Sequence, residues 1–122
     1  LLDMGDKFAK TAGFARADEA LKANAIHARM IAKQHECAMF YMSQLSADAE
    51  GKVLLNQSMM EGSRTGKAAE ADLMILIAKN PVVDNQEEED TERHLNVVKN
   101  KLTGWHGVVH CELEYQTARY TV

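Results

Sequence analysis

The sequence predicts an α/β fold, the second half of a mostly parallel sheet flanked by helices, with an antiparallel hairpin at its edge. Three observations carry this. Residues 17–36 keep small and apolar side chains at helical spacing, residues 37–42 and 71–78 are short unbroken apolar runs, and beyond residue 92 the pattern changes to alternation. An unbroken run marks a strand covered on both faces, as in a parallel sheet between helices. Alternation marks a strand with one solvated face.

In the predicted helix, Ala17, Leu21, Ala25, Ala28 and Ala32 follow steps of three and four, with no Gly or Pro to interrupt them. Asp18 and Glu19 fall in its first turn and Lys33 and His35 in its last, matching the helix macrodipole. The first buried strand is Cys37-Ala38-Met39-Phe40-Tyr41-Met42, which ends abruptly at Ser43-Gln44. Residues 46–66 hold small, polar and Met residues with Gly51 and Gly62, and read as a long loop with one weak helical turn at 53–60. Loops of that length in compact domains are usually functional or disordered. Residues 67–70 close a short helix before the second buried strand, 71–78, and Pro81 ends the run. Leu95 and Val97 alternate with Asn96 and Val98, and Val109, Cys111, Leu113 and Tyr115 with His110, Glu112 and Glu114, so residues 102–107 join two antiparallel strands.

With 122 residues the chain is one domain at most, long enough to bury roughly two thirds of the surface of its unfolded state. At 46% hydrophobic and 26% charged it belongs with globular proteins, and no apolar run approaches the ~18 residues of a membrane span. Cys37 and Cys111 make no disulfide framework and point to a reducing, cytosolic compartment. The opening Leu1-Leu2-Asp3, without initiator Met or signal pattern, raises the expectation of a processed or excised piece of something longer. The net charge of -4 is uneven: Asp84, Glu87, Glu88, Glu89 and Asp90 crowd one acidic loop, residues 80–92. Such a run reads as a solvated loop; it lacks the Gly and ligand spacing of a calcium-binding loop. The near-neutral remainder shows no basic footprint for nucleic acid.

Ligands of open α/β sheets bind beyond the carboxyl ends of the parallel strands. Asp3, after Leu1-Leu2, and Gln44, after the run ending at Met42, occupy such places. A carboxylate there can hold Mg²⁺ through water, and an amide can touch a terminal phosphate. Taken singly, each is more often an ordinary loop-start residue.

Their order along the chain carries more information. Leu1-Leu2-Asp3 resembles the end of a Walker B strand, and Arg29-Met30-Ile31-Ala32-Lys33 a helix bearing an arginine and a small-residue packing element. Met42-Ser43-Gln44-Leu45-Ser46 resembles a strand-end sensor motif. Gly62-Ser63-Arg64-Thr65-Gly66 through Glu70-Ala71-Asp72 resembles a Gly-Ser element with its following strand, and Lys99-Asn100-Lys101-Leu102-Thr103-Gly104 a K-N-R-x-x-T-G signature. As an ordered set these resemble the C-terminal part, from Walker B onward, of the RecA-like ATPase core of DnaB-like hexameric replicative helicases, including phage primase-helicases.

That resemblance implies a single partial RecA-like domain over residues 1–122, lacking its Walker A half. Asp3 becomes the Mg²⁺-associated catalytic carboxylate and Gln44 the γ-phosphate sensor. Residues 46–66 become the loop on single-stranded DNA, with Lys52, Asn56 and Gln57 as its contacts, and Lys99 and Lys101 reach a nucleotide held by the neighbouring subunit. Lys101 stands where the family carries its trans-acting arginine finger, and a lysine lacks the planar fork. The implied cofactors are ATP and Mg²⁺, in the complete motor only. The implied partners are single-stranded DNA and further copies in a hexameric ring, with no membrane, in the cytoplasm of a bacterium or a phage-infected host.

No G-x-x-x-x-G-K-S/T phosphate loop occurs; Gly62-Ser63-Arg64-Thr65-Gly66-Lys67 is followed by Ala68-Ala69, without the spacing or the hydroxyl. The chain as it stands is therefore expected not to hydrolyse ATP. A RecA-type recombinase fragment and an inactive DNA-binding or assembly module with the same fold are the competing readings. His106 and His110, predicted to share a strand face, have two scattered cysteines for company and no C-x-x-C, which argues against zinc. His27 and His35 read as helix-surface residues, both thiols as inert, Met59 and Met60 as cover for a core or a subunit contact, and Trp105 as packing.

Overall fold

The computed structural model describes residues 16–61, 64–81 and 90–122. The elements run α1 (Ala17–Gln34), α2 (Arg64–Glu70), β1 (Leu73–Lys79), β2 (Glu92–Asn100), β3 (Gly107–Glu114) and β4 (Arg119–Thr121), with single 3₁₀ turns at Ala47–Ala49 and Gln57–Met59. They fall into two compact units. A helical unit takes the described part of Leu1–Ser46 with Gln57–Ala71, and a sheet unit takes Ala47–Asn56 with Asp72–Val122.

In the helical unit, α1 buries Ala20, Ala25 and Ala28. The predicted stripe is right at Ala25 and Ala28, whereas Ala17 is exposed and Ala20 takes its place. Arg16 precedes the helix without capping it and forks onto Asp18 through Nε–Oδ1 (3.0 Å) and Nη2–Oδ2 (2.9 Å). The helix closes in a Schellman arrangement: Cys37 N–H donates to Ala32 O at 3.0 Å and Glu36 N–H to Lys33 O at 3.4 Å. Glu36 sits at φ 49°, the left-handed position that glycine usually fills. Helix α2 packs on α1, fastened by Arg29, whose guanidinium donates to the Glu70 carbonyl and lies 3.9 Å from Glu70 Oε2. The arginine of the family-like helix thus has a structural task here.

The first buried strand is not formed. Residues 37–42 are irregular apart from one bridge position at Tyr41, and Phe40 and Met42 are 67% and 49% exposed. The chain then pairs briefly with itself, through the Leu45↔Met60 bridge and the bonds from Ser46 N–H to Met59 O (2.8 Å) and Glu61 N–H to Gln44 O (3.1 Å). Met59 and Met60 are buried in this unit, the first of the two tasks their composition suggests, core cover rather than subunit contact.

In the sheet unit, β1-β2-β3-β4 are neighbours in that order and every pair is antiparallel. No parallel pair of strands occurs among the described residues; the second apolar run forms β1, which pairs antiparallel with β2. The β2–β3 hairpin was expected at an edge and instead forms the middle of this sheet; its register runs Glu92↔Glu112 through Val97↔Gly107. Strand β1 alternates strictly, with Met74, Leu76 and Ala78 buried and Leu73, Ile75 and Ile77 each nearly half exposed. Across from Leu76 stands Asn96, 3% exposed. Its Oδ1 accepts from Leu55 N–H (3.0 Å), and its Nδ2 faces the carbonyls of Val53 (3.0 Å), His94 (3.2 Å) and Leu76 (3.4 Å). One amide therefore secures the 53–55 segment over the sheet, at a position that alternation assigned to solvent.

Candidate functional site

Of the residues singled out by sequence, Asp3 lies outside the described residues, as do Gly62 and Ser63 of the Gly-Ser element and residues 82–89 of the acidic loop. The others divide between the two units.

Gln44 belongs to the helical unit and is exposed. Its backbone is fixed from two sides. Glu61 N–H donates to the Gln44 carbonyl, and Lys67, only 4% exposed, donates from Nζ to Ser43 Oγ (2.8 Å) and to Glu61 O (2.7 Å). A buried ammonium needs close oxygen partners, and this one finds them on the two chain segments that pair beside Gln44. In the sequence Lys67 stands at the end of an incomplete phosphate-loop pattern and in a short helix; nothing there marks it as the cation that holds Ser43.

Lys99 and Lys101 flank Asn100 at the end of β2 in the sheet unit. Asn100 builds the following turn almost alone: Oδ1 accepts from Leu102 N–H (3.0 Å) and Thr103 N–H (3.1 Å), and Nδ2 donates to Thr103 Oγ1 (2.7 Å) and Trp105 O (3.2 Å). Gly104 takes φ 76° and donates to Asn100 O at 3.0 Å. The Asn, Thr and Gly of the signature are thus turn-makers, since a short amide side chain can mimic a backbone turn and glycine tolerates positive φ. What the turn presents is its lysines. Lys101 is exposed and held lightly at both ends, its N–H on Asp72 O (2.8 Å) and its Nζ 3.4 Å from Asp72 Oδ1. With both side chains about half exposed, such a pair contributes ~1 kcal/mol or less and is easily exchanged for another anion.

Within the segment 46–66, residues 46–61 are more ordered than a long open loop. Ala47–Ala49 and Gln57–Met59 are 3₁₀ turns, Leu55 is buried, and Gly51 takes φ 68° in the turn between Glu50 and Lys52. The weak helical turn expected at 53–60 is the second of these. Lys52 and Asn56 are exposed within the sheet unit, while Gln57 is half-buried within the helical unit. Leu54 is 71% exposed beside buried Leu55.

The stems of the acidic loop are tied together in the sheet unit. Asn80 Nδ2 donates to Glu92 Oε2 (2.9 Å) and reaches Asp90 Oδ1 (3.4 Å). Arg93 donates to the carbonyls of Asp90 and Glu92 (both 2.7 Å) and to Tyr115 Oη (2.8 Å), while Tyr115 donates to Asp90 O (2.8 Å). The Glu92 carboxyl is held below the usual carboxylate range, first by the Asn80 amide, with the nearby imidazoles of His94 and His110 adding to it. His106, expected to share a strand face with His110, precedes β3, and the histidine that meets His110 is His94. Of the two thiols, Cys111 is buried, as expected, and Cys37 is exposed.

No protein-family model matches the chain, and no curated protein matches it. Solved structures do. The structure of a DnaB-like replicative helicase studied with primase matches over 97% of this chain and 28% of its own, with a TM-score of 0.74 and 13% identity. A second solved structure, that of an ATPase domain, matches over 92% of this chain and 39% of its own, with a TM-score of 0.75 and 14% identity. The likeness is one of fold, and the chain spans well under half the length of either. Among the described residues, no helix is long and apolar enough to cross a membrane.

Proposed function

We propose that this chain is the C-terminal portion of the motor core of an ATP-driven helicase, which works as a ring of copies on single-stranded DNA. One observation carries the reading: the fold match to a DnaB-like replicative helicase and to an ATPase domain extends over nearly the whole chain, and it falls on the family that the ordered motifs resemble. Gln44 is the γ-phosphate sensor, its exposed amide set on backbone that Lys67 and Glu61 hold still. Lys99 and Lys101 are the cations a subunit offers to its neighbour's nucleotide, and the light pairing of Lys101 with Asp72 allows that transfer. Asp3 is the carboxylate associated with Mg²⁺. Lys52, Asn56 and Gln57 touch DNA, and one cation among them gives a weak grip per subunit, so useful affinity comes from several copies on one strand.

The residues of this chain do not by themselves hold a nucleoside triphosphate, because the phosphate-cradling loop is missing from the sequence. ATP and Mg²⁺ therefore belong to the complete motor. The test uses the longer protein carrying a Walker A. Gln44→Ala should lower its DNA-stimulated ATPase by at least about tenfold, and Lys101→Ala subunits mixed into wild-type rings should depress activity more steeply than their fraction. A strictly proportional loss overturns the trans role of Lys101, and an unchanged rate in Gln44→Ala overturns the sensor. ATP turnover by the isolated chain that depends on Gln44 would overturn the assignment as a portion.

The second reading, an inactive assembly module, is favoured by lysine at the arginine-finger place. It expects no ATPase in the longer protein and no effect of Lys101→Arg. The motor reading expects Lys101→Arg to retain or raise activity.

A further inference from the structure

Asn80 and the two middle strands bring together a set of donors that plays no part in the nucleotide or DNA roles above. Glu92 and His94 are two residues apart on β2 and so share a face, and His110 stands directly opposite His94 on β3. His94 Nδ1 and His110 Nδ1 are 3.1 Å apart, and His110 Nδ1 lies 3.6 Å from Glu92 Oε1. One ligand atom from each of the three residues falls within 4.8 Å of the others. For a tetrahedral ion with bonds near 2.0–2.1 Å, neighbouring donors are separated by about 3.3 Å, between the two short distances here.

The tautomers can be worked out from the hydrogen bonds. Asn80 turns Nδ2 toward the Glu92 and Asp90 carboxylates, which only accept, so its Oδ1 faces His94 Nε2 at 2.9 Å. His94 therefore carries its proton on Nε2 and directs the lone pair of Nδ1 at His110. An outer hydrogen-bond partner that fixes a ring in this manner is the usual companion of a metal-ligating histidine. His94 is 4% exposed, whereas the side chains of Glu92 and His110 are about half and two thirds exposed. The anchor is thus buried and the other two donors are open to solvent.

We infer that Glu92, His94 and His110 form a site for a divalent transition-metal ion of the zinc class, with two imidazole Nδ1 atoms and one carboxylate as ligands and a solvent position left open. Two imidazoles exclude the hard cations Mg²⁺ and Ca²⁺, which take oxygen donors. Without metal, His110 Nδ1–H donates to His94 Nδ1. On binding, a neutral His110 moves that proton to Nε2 through solvent, so its Nδ1 lone pair faces the ion and no net proton is released. The ion ties β2 to β3 beside the stems of the acidic loop.

Zn²⁺ alone, and Co²⁺ as an optical probe, titrated into the intact chain against a competing chelator, test this. One ion per chain is expected, with the intense visible absorption of tetrahedral Co²⁺ and a higher thermal midpoint. His94→Ala removes a buried side chain and risks unfolding, so the deciding variants are on the exposed side. His110→Ala should weaken Zn²⁺ by at least about a hundredfold and abolish the Co²⁺ spectrum. Asn80→Leu, which touches no ion, should weaken it by roughly 10–100-fold while circular dichroism stays unchanged. Cys37→Ser should leave binding as it is. Absence of stoichiometric binding, wild-type affinity in His110→Ala, or loss of binding in Cys37→Ser each overturns the site.

Discussion

Residues 37–42 and the β1 strand Leu73–Lys79 are nearly equal in apolar content, yet one is irregular and the other is paired along its length. Among the described residues, the difference lies in what stands beside each. Strand β1 has β2 as a ladder partner from Leu73↔Asn100 to Lys79↔Arg93, and its inner face meets Asn96, which in turn holds residues 53–55. Among the described residues, 37–42 show one bridge position, at Tyr41, between the Schellman bonds of α1 at one end and the Leu45↔Met60 bridge beyond the other. Hydrophobicity makes a segment eligible to be a strand; partners for its N–H and C=O groups decide whether it becomes one.

Substitution within β1 tests that contrast most directly. Leu76→Ala, on the covered face, should cost roughly 2–5 kcal/mol in urea-induced unfolding, and a value under about 1 kcal/mol would break the comparison. Next in size, Asn96→Ala strands Leu55 N–H and Val53 O, and is expected to destabilise by about 1–3 kcal/mol; near-neutrality would mean that the 53–55 segment is held by something else. Glu36→Gly relieves the positive φ at the end of α1 and should stabilise by ~1 kcal/mol, read as a raised midpoint. Phe40→Ala and Ile75→Ala, both on exposed side chains, should stay within about 1 kcal/mol of wild type. The Ile75 measurement can be sharpened in a longer protein: if further chain covers that face of β1, as the proposed motor core requires, the loss rises toward that of Leu76→Ala. Smallest of all, Asp72→Asn loosens the exposed pair with Lys101 and should change stability by ~0.5 kcal/mol or less, an effect that salt erases.

Sequence reading succeeded where local chemistry decides the outcome. Helix α1 was legible from its spacing and charges to within two residues of its end, α2 was placed, and the β2–β3 hairpin followed from alternation and a turn of Thr and Gly. It failed where a distant partner decides. Residues 37–42 show a strand pattern that does not say what would pair with it. Asn96 and His94, on the side of β2 that alternation assigned to water, are buried because 53–55 and Asn80 come to them. The sequence pattern places His106 and His110 on one strand face and does not show that His94 stands opposite His110, because cross-strand register depends on the turn, and the turn of Asn100 is built by side-chain bonds that composition does not reveal. Of the candidate site, the places of Lys99 and Lys101 at the end of β2 were legible, whereas Gln44 ends no strand among the described residues, and the bonds of Lys67 and Asp72 were not legible.

Trp105 is the chain's single tryptophan, and its indole is seated on Gly107 so closely that a Cβ built there would come within 2.6 Å of the ring. Trp105 is 51% exposed, and its carbonyl accepts from the side chain of Asn100, which lies between the two lysines. Tryptophan emission, selected by excitation beyond the tyrosine band, therefore has one source, placed beyond Lys101 and just before β3. Its wavelength and its quenching by iodide will report anion binding at the turn and opening of the hairpin without any added label. Gly107→Ala, which must displace the ring, supplies the shifted reference spectrum.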